Sequence, residues 1–418
     1  MNLILKITII LCLNVVFAQK IIIPMDENQS NHLKAYGLTF WILENNINVD
    51  WMLNYRGGTF MVDSNDSIIK ECIVRGITYE IINSNQLIKI YSTIEENNMD
   101  IVLLEKSPKI AVYSPPGKQP WDDAVTLALA YAEINYDIIF DEEVLTNKLE
   151  KYDWLHLHHE DFTGQYGKFY RNYHNSSWYK KLEFDFNNTA QKFGFESVQA
   201  LKKNVALKIK EYIINGGFLF AMCSAADSFD IALATFNVDI AGQVYDGTPI
   251  DPNYMNKINF NNSIAFENYQ LYVDPMTYEY STIDIPPSHK PTTKSPEADY
   301  FTLFEFSAKW DPVPTMLTQN HVGIINGFMG QTTGFNRNFI KKHIVVLGDV
   351  LDNSMVKYIH GNAGKGTFTF LGGHDPEDYR HFVGDPPTDL SLHKNSPGYR
   401  LILNNILFPA AKKKERKT

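Results

Sequence analysis

A cysteine and a histidine each follow a short apolar run that is typical of a buried strand. Cys223 ends the run 218–222 and passes directly into the small residues Ser224-Ala225-Ala226. His374 follows the run 367–371 and a pair of glycines. A strand that ends on a thiol and turns at once into a helix predicts a nucleophile elbow. A thiol that faces a helix N-terminus is also favoured as the thiolate.

The two strand ends predict one site if their strands are neighbours, because ligands bind beyond the carboxyl ends of parallel strands. Cys223 is then the nucleophile, His374 the general base, and Glu377 the carboxylate that orients the imidazole, with Asp375 as the alternative carboxylate. The alternatives are that Cys223 is a small core residue and that His374 only caps or lines a loop. Ala221 and Ala225 stand where an elbow more often carries glycine.

A second polar cluster follows the apolar residues Trp154 and Leu155. In a strand, His156 and His158 project to one face, while His159 and Glu160 belong to the turn that follows. The pattern predicts a ligand-binding edge, whose residues are His156, His158, His159, Glu160, Gln165 and Asp375.

Zinc is the alternative for this cluster, since alternate histidines can ligate it, with His381, Asp375 or Asp378 completing the site. No HExxH motif or cysteine pair supports a metal, and no phosphate-binding glycine loop is present. The sequence therefore predicts neither a metal nor another cofactor.

Apolar runs alternate with helical patterns along most of the chain. This alternation predicts an α/β fold with a mostly parallel, flavodoxin-like sheet, helices on both faces, and insertions. The predicted helices are 31–45, 68–75, 121–134, 205–214 and 397–407. The predicted strands are 21–25, 49–54, 77–82, 101–104, 110–113, 136–140, 154–159, 218–222, 300–306, 343–347 and 366–371.

The N-terminus reads as a cleaved secretory signal. Lys6 precedes an apolar run over 7–17, and Val16-Phe17-Ala18 suits a signal peptidase. We expect a signal peptide at 1–18, an α/β module at 19–106, a larger α/β domain at 107–411 with insertions at about 164–204 and 237–298, and a basic tail at 412–418. The protein is thus predicted to be exported to the periplasm or cell exterior, with no integral membrane segment after cleavage.

The net charge indicates which partners to expect, and the cysteine content indicates whether disulfides hold the fold. A net charge of −10 argues against a nucleic-acid partner, so a small-molecule or glycan substrate is expected. Only Cys72 and Cys223 remain beyond the predicted signal, so a disulfide framework is not expected. Cys72 fits a buried helix face, although pairing of the two thiols is the alternative.

The motifs also resemble a known family. Residues 154–165, 220–225, 328–333 and 372–379 are similar to exported Bacteroidetes proteins usually labelled asparagine synthetase B, and the resemblance runs from about 23 to 411. More distantly, the chain resembles class I glutamine amidotransferases, which use an elbow cysteine and a His-Pro-Glu run. The resemblance implies these roles for Cys223, His374 and Glu377, although this chain inserts Asp375 into the run.

The family label implies a glutamine-hydrolysing asparagine synthase, which the motifs do not support. Position 2 is Asn2, not cysteine, and the stretch 224–228 lacks the glycines of a pyrophosphate loop. The residues instead favour a Cys-His amidase or other hydrolase. The alternatives are a non-catalytic cell-envelope or carbohydrate-binding protein, with the aromatic residues of 178–195 lining its groove, and a zinc hydrolase.

Overall fold

The computed structural model describes residues 19–117, 121–284, 300–319, 322–326, 330–350, 355–379 and 382–411. The predicted signal peptide, the basic tail and His381 lie outside the described residues. So do 328 and 329, the first two residues of one family-like segment.

The described residues form fifteen strands and twelve α-helices. The strands are β1 (Lys20–Ile23), β2 (Val49–Leu53), β3 (Thr59–Asp63), β4 (Glu80–Ile82), β5 (Asp100–Leu104), β6 (Ile110–Tyr113), β7 (Asp137–Ile139), β8 (Trp154–Leu157), β9 (Phe218–Met222), β10 (Tyr300–Leu303), β11 (Ile324–Asn326), β12 (Phe335–Asn336), β13 (Val345–Asp349), β14 (Met355–Ala363) and β15 (Gly366–Leu371). The helices are α1 (His32–Glu44), α2 (Asp66–Arg75), α3 (Ser84–Glu96), α4 (Ala124–Ala132), α5 (Asp141–Leu145), α6 (Tyr170–Tyr173), α7 (Ser177–Lys192), α8 (Val198–Ile214), α9 (Ser224–Ala234), α10 (Gln243–Asp246), α11 (Tyr254–Lys257) and α12 (Pro397–Leu407). Over the described residues, none of these helices has the length and apolar character needed to span a bilayer.

The first 85 or so described residues build a small sheet whose neighbouring strands all run antiparallel, in the order β4-β1-β3-β2-β5. A tight turn over Tyr55–Gly57, with Gly58 at φ 88°, joins β2 to β3. Strands joined by so short a turn can only pair antiparallel. Strand β3 was not among the strands predicted from the sequence.

The large sheet is mixed, in the order β11-β10-β13-β14-β15-β9-β8-β6-β7, with β12 paired to β14. Neighbours from β15 to β7 are parallel, whereas those from β15 outward to β11 are antiparallel. A hairpin with Gly364 at φ 62° joins β14 to β15 and reverses the direction of pairing. The predicted mostly parallel, flavodoxin-like sheet is therefore wrong, and the overall class is mixed α/β.

A continuous apolar core joins the small sheet to one face of the large sheet. It includes Ile21 and Phe60 of the small sheet, Ile110 and Trp154 of the large sheet, and Tyr399 of α12. A second core covers the opposite face of the large sheet, where α8 and α9 pack. The large sheet is thus buried on both faces around the strand ends that carry the candidate site.

Arg400 of α12 is a buried arginine that connects two parts of this shared core by hydrogen bonds. Its side chain is buried, donates to the carbonyl oxygen of Met25 at 3.1 Å, and also donates to the carbonyl oxygen of Gly57. Its Nε donates to the hydroxyl of Tyr36 at 3.1 Å. One guanidinium therefore satisfies backbone oxygens of two turns in the N-terminal unit from the C-terminal helix.

Replacing Arg400 with Met is expected to lower the free energy of unfolding by about 2–4 kcal/mol, because two buried carbonyl groups lose their donors. Urea denaturation followed by circular dichroism measures the change. The exposed Arg171→Met variant is the control and should lie within about 0.5 kcal/mol of wild type. Equal stability of the two variants would contradict this role for Arg400.

Candidate functional site

Cys223 lies between β9 and α9 in a strained backbone conformation. Its φ is 50° and its ψ is −137°, far from the values that a non-glycine residue ordinarily adopts. The carbonyl oxygen of Leu371, on the neighbouring strand β15, accepts from the Cys223 N–H at 3.3 Å. Strain of this kind persists only where the surroundings impose it, and it is concentrated at functional positions.

The Cys223 thiol is enclosed, with 1 % of the residue exposed. Burial raises the pKa of the thiol, and hydrogen bonds from the backbone N–H groups of Thr332, Gln331 and Ser224 partly oppose the rise. A β-carbon added to Gly330 would lie 2.9 Å from the sulfur and 3.2 Å from the backbone nitrogen of His374. Glycine at 330 is therefore what allows this segment to lie against both Cys223 and His374.

Residues 330–334, here called the covering segment, are held over the thiol by buried carboxylates. Thr332 donates its hydroxyl to Asp227 at 2.9 Å, and the Thr333 N–H donates to Asp284 at 2.9 Å. Burial raises the pKa of Asp227 well above its ordinary value, and the charge of Asp284 raises it further. Gln331 anchors the other side by donating to the carbonyl oxygen of Gly167 at 2.8 Å.

The turn after β8 is bonded to the first turns of α9. The Ala225 N–H donates to the carbonyl oxygen of His158 at 3.0 Å. The Ser224 hydroxyl donates to the carbonyl oxygen of His159 at 3.2 Å, and the Ser228 hydroxyl donates to that of Glu160 at 3.0 Å. These bonds fix the histidine turn relative to Cys223, as the parallel pairing of β8 and β9 requires.

His156 belongs to the buried framework beneath this turn. Its Nδ1 lies 3.2 Å from the carbonyl oxygen of Phe220, and its Nε2 lies 3.0 Å from Oδ2 of Asp123. The Asp123 Oδ1 accepts from two backbone N–H groups at the start of α4, which fits an ionised carboxylate. Both nitrogens of His156 are thus engaged within the framework.

Asp123 links this framework to the next histidine. Its Oδ2 also lies 3.4 Å from Nδ1 of His158. Burial alone would raise the pKa of Asp123, but the charges of His156 and His158 and their hydrogen bonds bring it well below its usual value. An ionised carboxylate is therefore present between two histidine rings.

His158, His159 and His374 form a cluster of three imidazoles at the carboxyl edge of the sheet. The ring centroids are 3.9 Å apart for His158 and His159, 4.7 Å for His158 and His374, and 4.4 Å for His159 and His374. Each ring offers a nitrogen within 4.8 Å of the others. His158 and His374 are buried, whereas His159 is partly exposed.

Glu160 and Gln165 lie in the loop that follows this cluster. Glu160 accepts the His158 N–H at 3.0 Å, and burial raises the pKa of its carboxyl to about 7, with the charge of Asp123 adding to the rise. Gln165 is buried, and its N–H donates to Asp161 at 2.6 Å. Asp161 also accepts two further backbone N–H groups, so it organises the loop around itself.

Asp375 and Glu377 are directed away from the histidine cluster. Asp375 is buried and accepts hydroxyl groups of Thr388 at 2.8 Å and Tyr399 at 2.7 Å, together with two backbone N–H groups of its own turn. Glu377 pairs with His393 at 3.1 Å. In this structure Asp375 therefore builds the 374–378 turn, and Glu377 orients His393 instead of a site residue.

A cleft of about 500 Å³ opens beside the cluster, past the carboxyl ends of β6 and β7. Aromatic side chains line it, namely Trp121, Phe140, Trp178 and Phe186. A smaller pocket of about 30 Å³ shares Trp121 and Phe186 with this cleft and reaches His159 and Glu160. Cys223 lines neither space.

The partners that organise the site were not among the predicted site residues. Asp123 is the N-cap of α4, and this capping position is the local pattern that could have indicated it. Asp227 and Asp284 carry no motif, and each becomes significant only because the covering segment lies against it. Cys72 and Cys223 are separate free thiols, so the alternative of a disulfide between them is wrong.

Comparisons with known proteins do not identify a family. No family model matches the chain, and no curated protein matches it. Among solved structures, it is similar to cytoplasmic protein STM3548 from Salmonella typhimurium, with 12% identity, a TM-score of 0.35, and coverage of 73% of this chain and 100% of that one. A second Salmonella typhimurium LT2 cytoplasmic protein, STM1381, gives 12% identity, a TM-score of 0.34, and coverage of 73% and 100%.

A β-galactosidase from Bacillus circulans sp. alkalophilus is also similar over part of its length. It gives 11% identity, a TM-score of 0.28, and coverage of 64% of this chain and 29% of that one. Scores this low carry no argument about fold or activity. The resemblance to the asparagine synthetase B family thus stays a prediction.

Strain at Cys223 predicts an unusual order of stability among its variants. Cys223→Gly should be about 1 kcal/mol more stable than Cys223→Ala, because glycine adopts the observed φ without penalty. Cys72, buried within helix α2, is the matched control, and there glycine should be about 1 kcal/mol less stable than alanine. Chemical denaturation measures all four variants, and the same order at both positions would contradict strain at Cys223.

Loosening the covering segment should expose the thiol. Thr332→Val removes the hydrogen bond from Thr332 to Asp227. A loss of about 1.4 kcal/mol from the free energy that keeps the covering segment closed populates the open state about tenfold more, so iodoacetamide should label Cys223 about tenfold faster. Labelling of wild type should rise with pH beyond the ordinary thiol range, because its raised pKa keeps the thiol protonated there. Peptide mass spectrometry follows the site, and the remote buried Thr39→Val variant should label like wild type.

Proposed function

We propose that the protein is a cysteine-dependent hydrolase that cleaves an amide or ester bond, with Cys223 as the nucleophile. The observation that carries this proposal is the backbone of Cys223, a non-glycine residue held at φ 50° between a strand and a helix N-terminus. A core cysteine gains nothing from that conformation, whereas a nucleophile is presented by it.

His374 is proposed as the general base. Two observations support this role, namely the neighbouring strands β9 and β15 and the position of the His374 backbone beside Gly330, which also touches the sulfur. The imidazole also packs against His158 and His159. Because the thiol is enclosed, opening of the covering segment is part of this proposal and would admit substrate.

The reaction then follows from these groups. His374 takes the thiol proton, and the sulfur attacks the carbonyl carbon to form a tetrahedral adduct. The Ser224 N–H, at the residue after the nucleophile, stabilises the oxyanion. His374 returns the proton to the departing amine or alcohol, leaving a thioester. Water, deprotonated by His374, releases the acid and restores the thiol.

Small amides or esters with an apolar or aromatic part suit the cleft beside the site. Its aromatic walls offer stacking surfaces for such a group or for a sugar ring. Amide hydrolysis also agrees with the glutamine-hydrolysing half-reaction that the family resemblance implies. Export from the cell remains part of the proposal, on the strength of the N-terminal pattern alone.

A non-catalytic binding protein is the second candidate. The enclosure of Cys223 and its position outside the lining of the cleft favour this reading. In that case the aromatic cleft is the functional surface, and the strained backbone at 223 serves packing only.

Acyl-enzyme trapping with p-nitrophenyl esters tests the proposal, using protein stripped of metal with EDTA. One acyl group is expected on the peptide that contains Cys223, and Cys223→Ser and His374→Gln should each lower turnover at least ~100-fold. Cys72→Ser is the matched thiol control and should keep wild-type turnover. Full activity of Cys223→Ser, or acylation elsewhere, would exclude Cys223 as the nucleophile.

Failure to acylate Cys223 in the Thr332→Val variant as well would favour the binding-protein candidate. If iodoacetamide labels Cys223 faster in that variant but the ester does not acylate it, lack of access does not account for the missing acylation.

A further inference from the structure

We propose that His158, His159 and His374 form a binding site for a divalent transition metal ion, with Zn²⁺ as the representative ligand. The site differs from the zinc alternative suggested by the sequence, which used His156, His158 and a downstream acid. Its existence does not depend on the proposed hydrolase activity.

The geometry of the three rings suits imidazole ligation. One nitrogen of each ring lies within 4.8 Å of the others. Nitrogens that share a tetrahedral zinc ion at about 2.0–2.1 Å lie roughly 3.4 Å apart. The His158 and His159 rings are stacked at an interplanar angle of 11°, so at least one of them must turn about its side-chain bonds for both lone pairs to reach a common ion. The rings come from two strand ends that the parallel sheet holds together, so this adjustment is made by the side chains.

The surroundings of His158 give a second, independent reason to propose a metal site. The residue is 1 % exposed, and its Nδ1 lies 3.4 Å from the carboxylate of Asp123. Its Nε2 is buried and has no hydrogen-bond partner among the described residues. A metal-bound imidazole usually has a carboxylate beside the nitrogen that does not bind the metal, and the position of Asp123 fits that arrangement.

His156 is excluded as a ligand by its own hydrogen bonds. Both of its nitrogens are engaged, one with the carbonyl oxygen of Phe220 and the other with Asp123. His156 is therefore a positioning residue, because its contact with Asp123 holds that carboxylate next to His158. Asp375 is likewise committed to Thr388 and Tyr399.

Three protein ligands leave a fourth position for water or another small ligand. His159 is the partly exposed member of the cluster and lines the small pocket together with Trp121 and Glu160. The fourth position therefore faces the space that adjoins the aromatic cleft. A metal here would be accessible to anions or carbonyl groups that enter the cleft.

Metal binding has one consequence that rests on the proposed function. The lone pair of His374 can serve a metal ion or accept a proton from Cys223, but not both. A metal-loaded protein should thus be inactive as a cysteine hydrolase, and chelation should restore activity.

Cobalt absorption spectroscopy tests the site directly. Untagged, metal-stripped protein is titrated with Co²⁺, and one equivalent should give the visible bands of a low-coordinate histidine complex, which Zn²⁺ then displaces. His159→Gln, His374→Gln and Asp123→Asn are each expected to weaken Co²⁺ binding by about 10–100-fold. Circular dichroism checks that each variant is folded, and the partly exposed His159 keeps the test valid if a buried variant is unstable.

Two controls make the result specific. His174→Gln removes an exposed histidine outside the cluster, and Cys223→Ser removes the nearby thiol; both should bind Co²⁺ like wild type. Absence of a stoichiometric complex, or unchanged affinity in His159→Gln, would overturn the site. Loss of binding in Cys223→Ser would overturn the all-histidine ligand set.

The outcomes separate this inference from the hydrolase proposal. Metal binding is measured on Cys223→Ser, which has no nucleophile, whereas acylation is measured on metal-free wild type. Each result can fail while the other succeeds. Zinc inhibition of acylation with the affinity measured by displacement would connect the two.

Discussion

Parallel pairing of β8, β9 and β15 is the constraint on which the candidate site depends. The register Leu371↔Met222 ends β15 and β9 at the same level, and Leu157↔Ala221 brings the end of β8 to within a residue of them. Side chains from three distant parts of the chain must then share one edge. Packing on both sheet faces fixes this register, since a slip of one residue would exchange the side chains that the two cores receive.

Buried carboxylates fix the backbone around that edge by accepting hydrogen bonds from it. Asp123, Asp161, Asp230 and Asp375 each accept at least two backbone N–H groups; Asp123 caps helix α4, and the other three each hold a loop in place. Irregular loops need such partners because their backbone donors find none in a strand or helix. The acids therefore hold the surrounding backbone in place, while the three histidine rings pack against one another.

Local patterns were sufficient for elements with clear boundaries. β15 and α12 have the bounds predicted for them. A glycine marks the start of β15, and a serine cap followed by a proline marks the start of α12. β14 was missed because it carries Lys357 and His360, polar residues that are buried in the structure. Sheet direction also escaped prediction, since it depends on which strands pair and not on any one segment. In the site, the passage from strand to helix at Cys223 could be predicted from the local sequence, but the Glu377–His393 pair depends on the folded chain.

The large sheet also tapers toward its margins. Its outermost strands, β7 and β11, have three residues each, whereas β14 near the middle has nine. Among the described residues, strands this short offer few unpaired backbone groups at either edge, although Ile138 and Ile324 are exposed there. A sheet of this width would otherwise offer long open edges to a second molecule. The taper therefore limits the length of backbone on which another strand could be added.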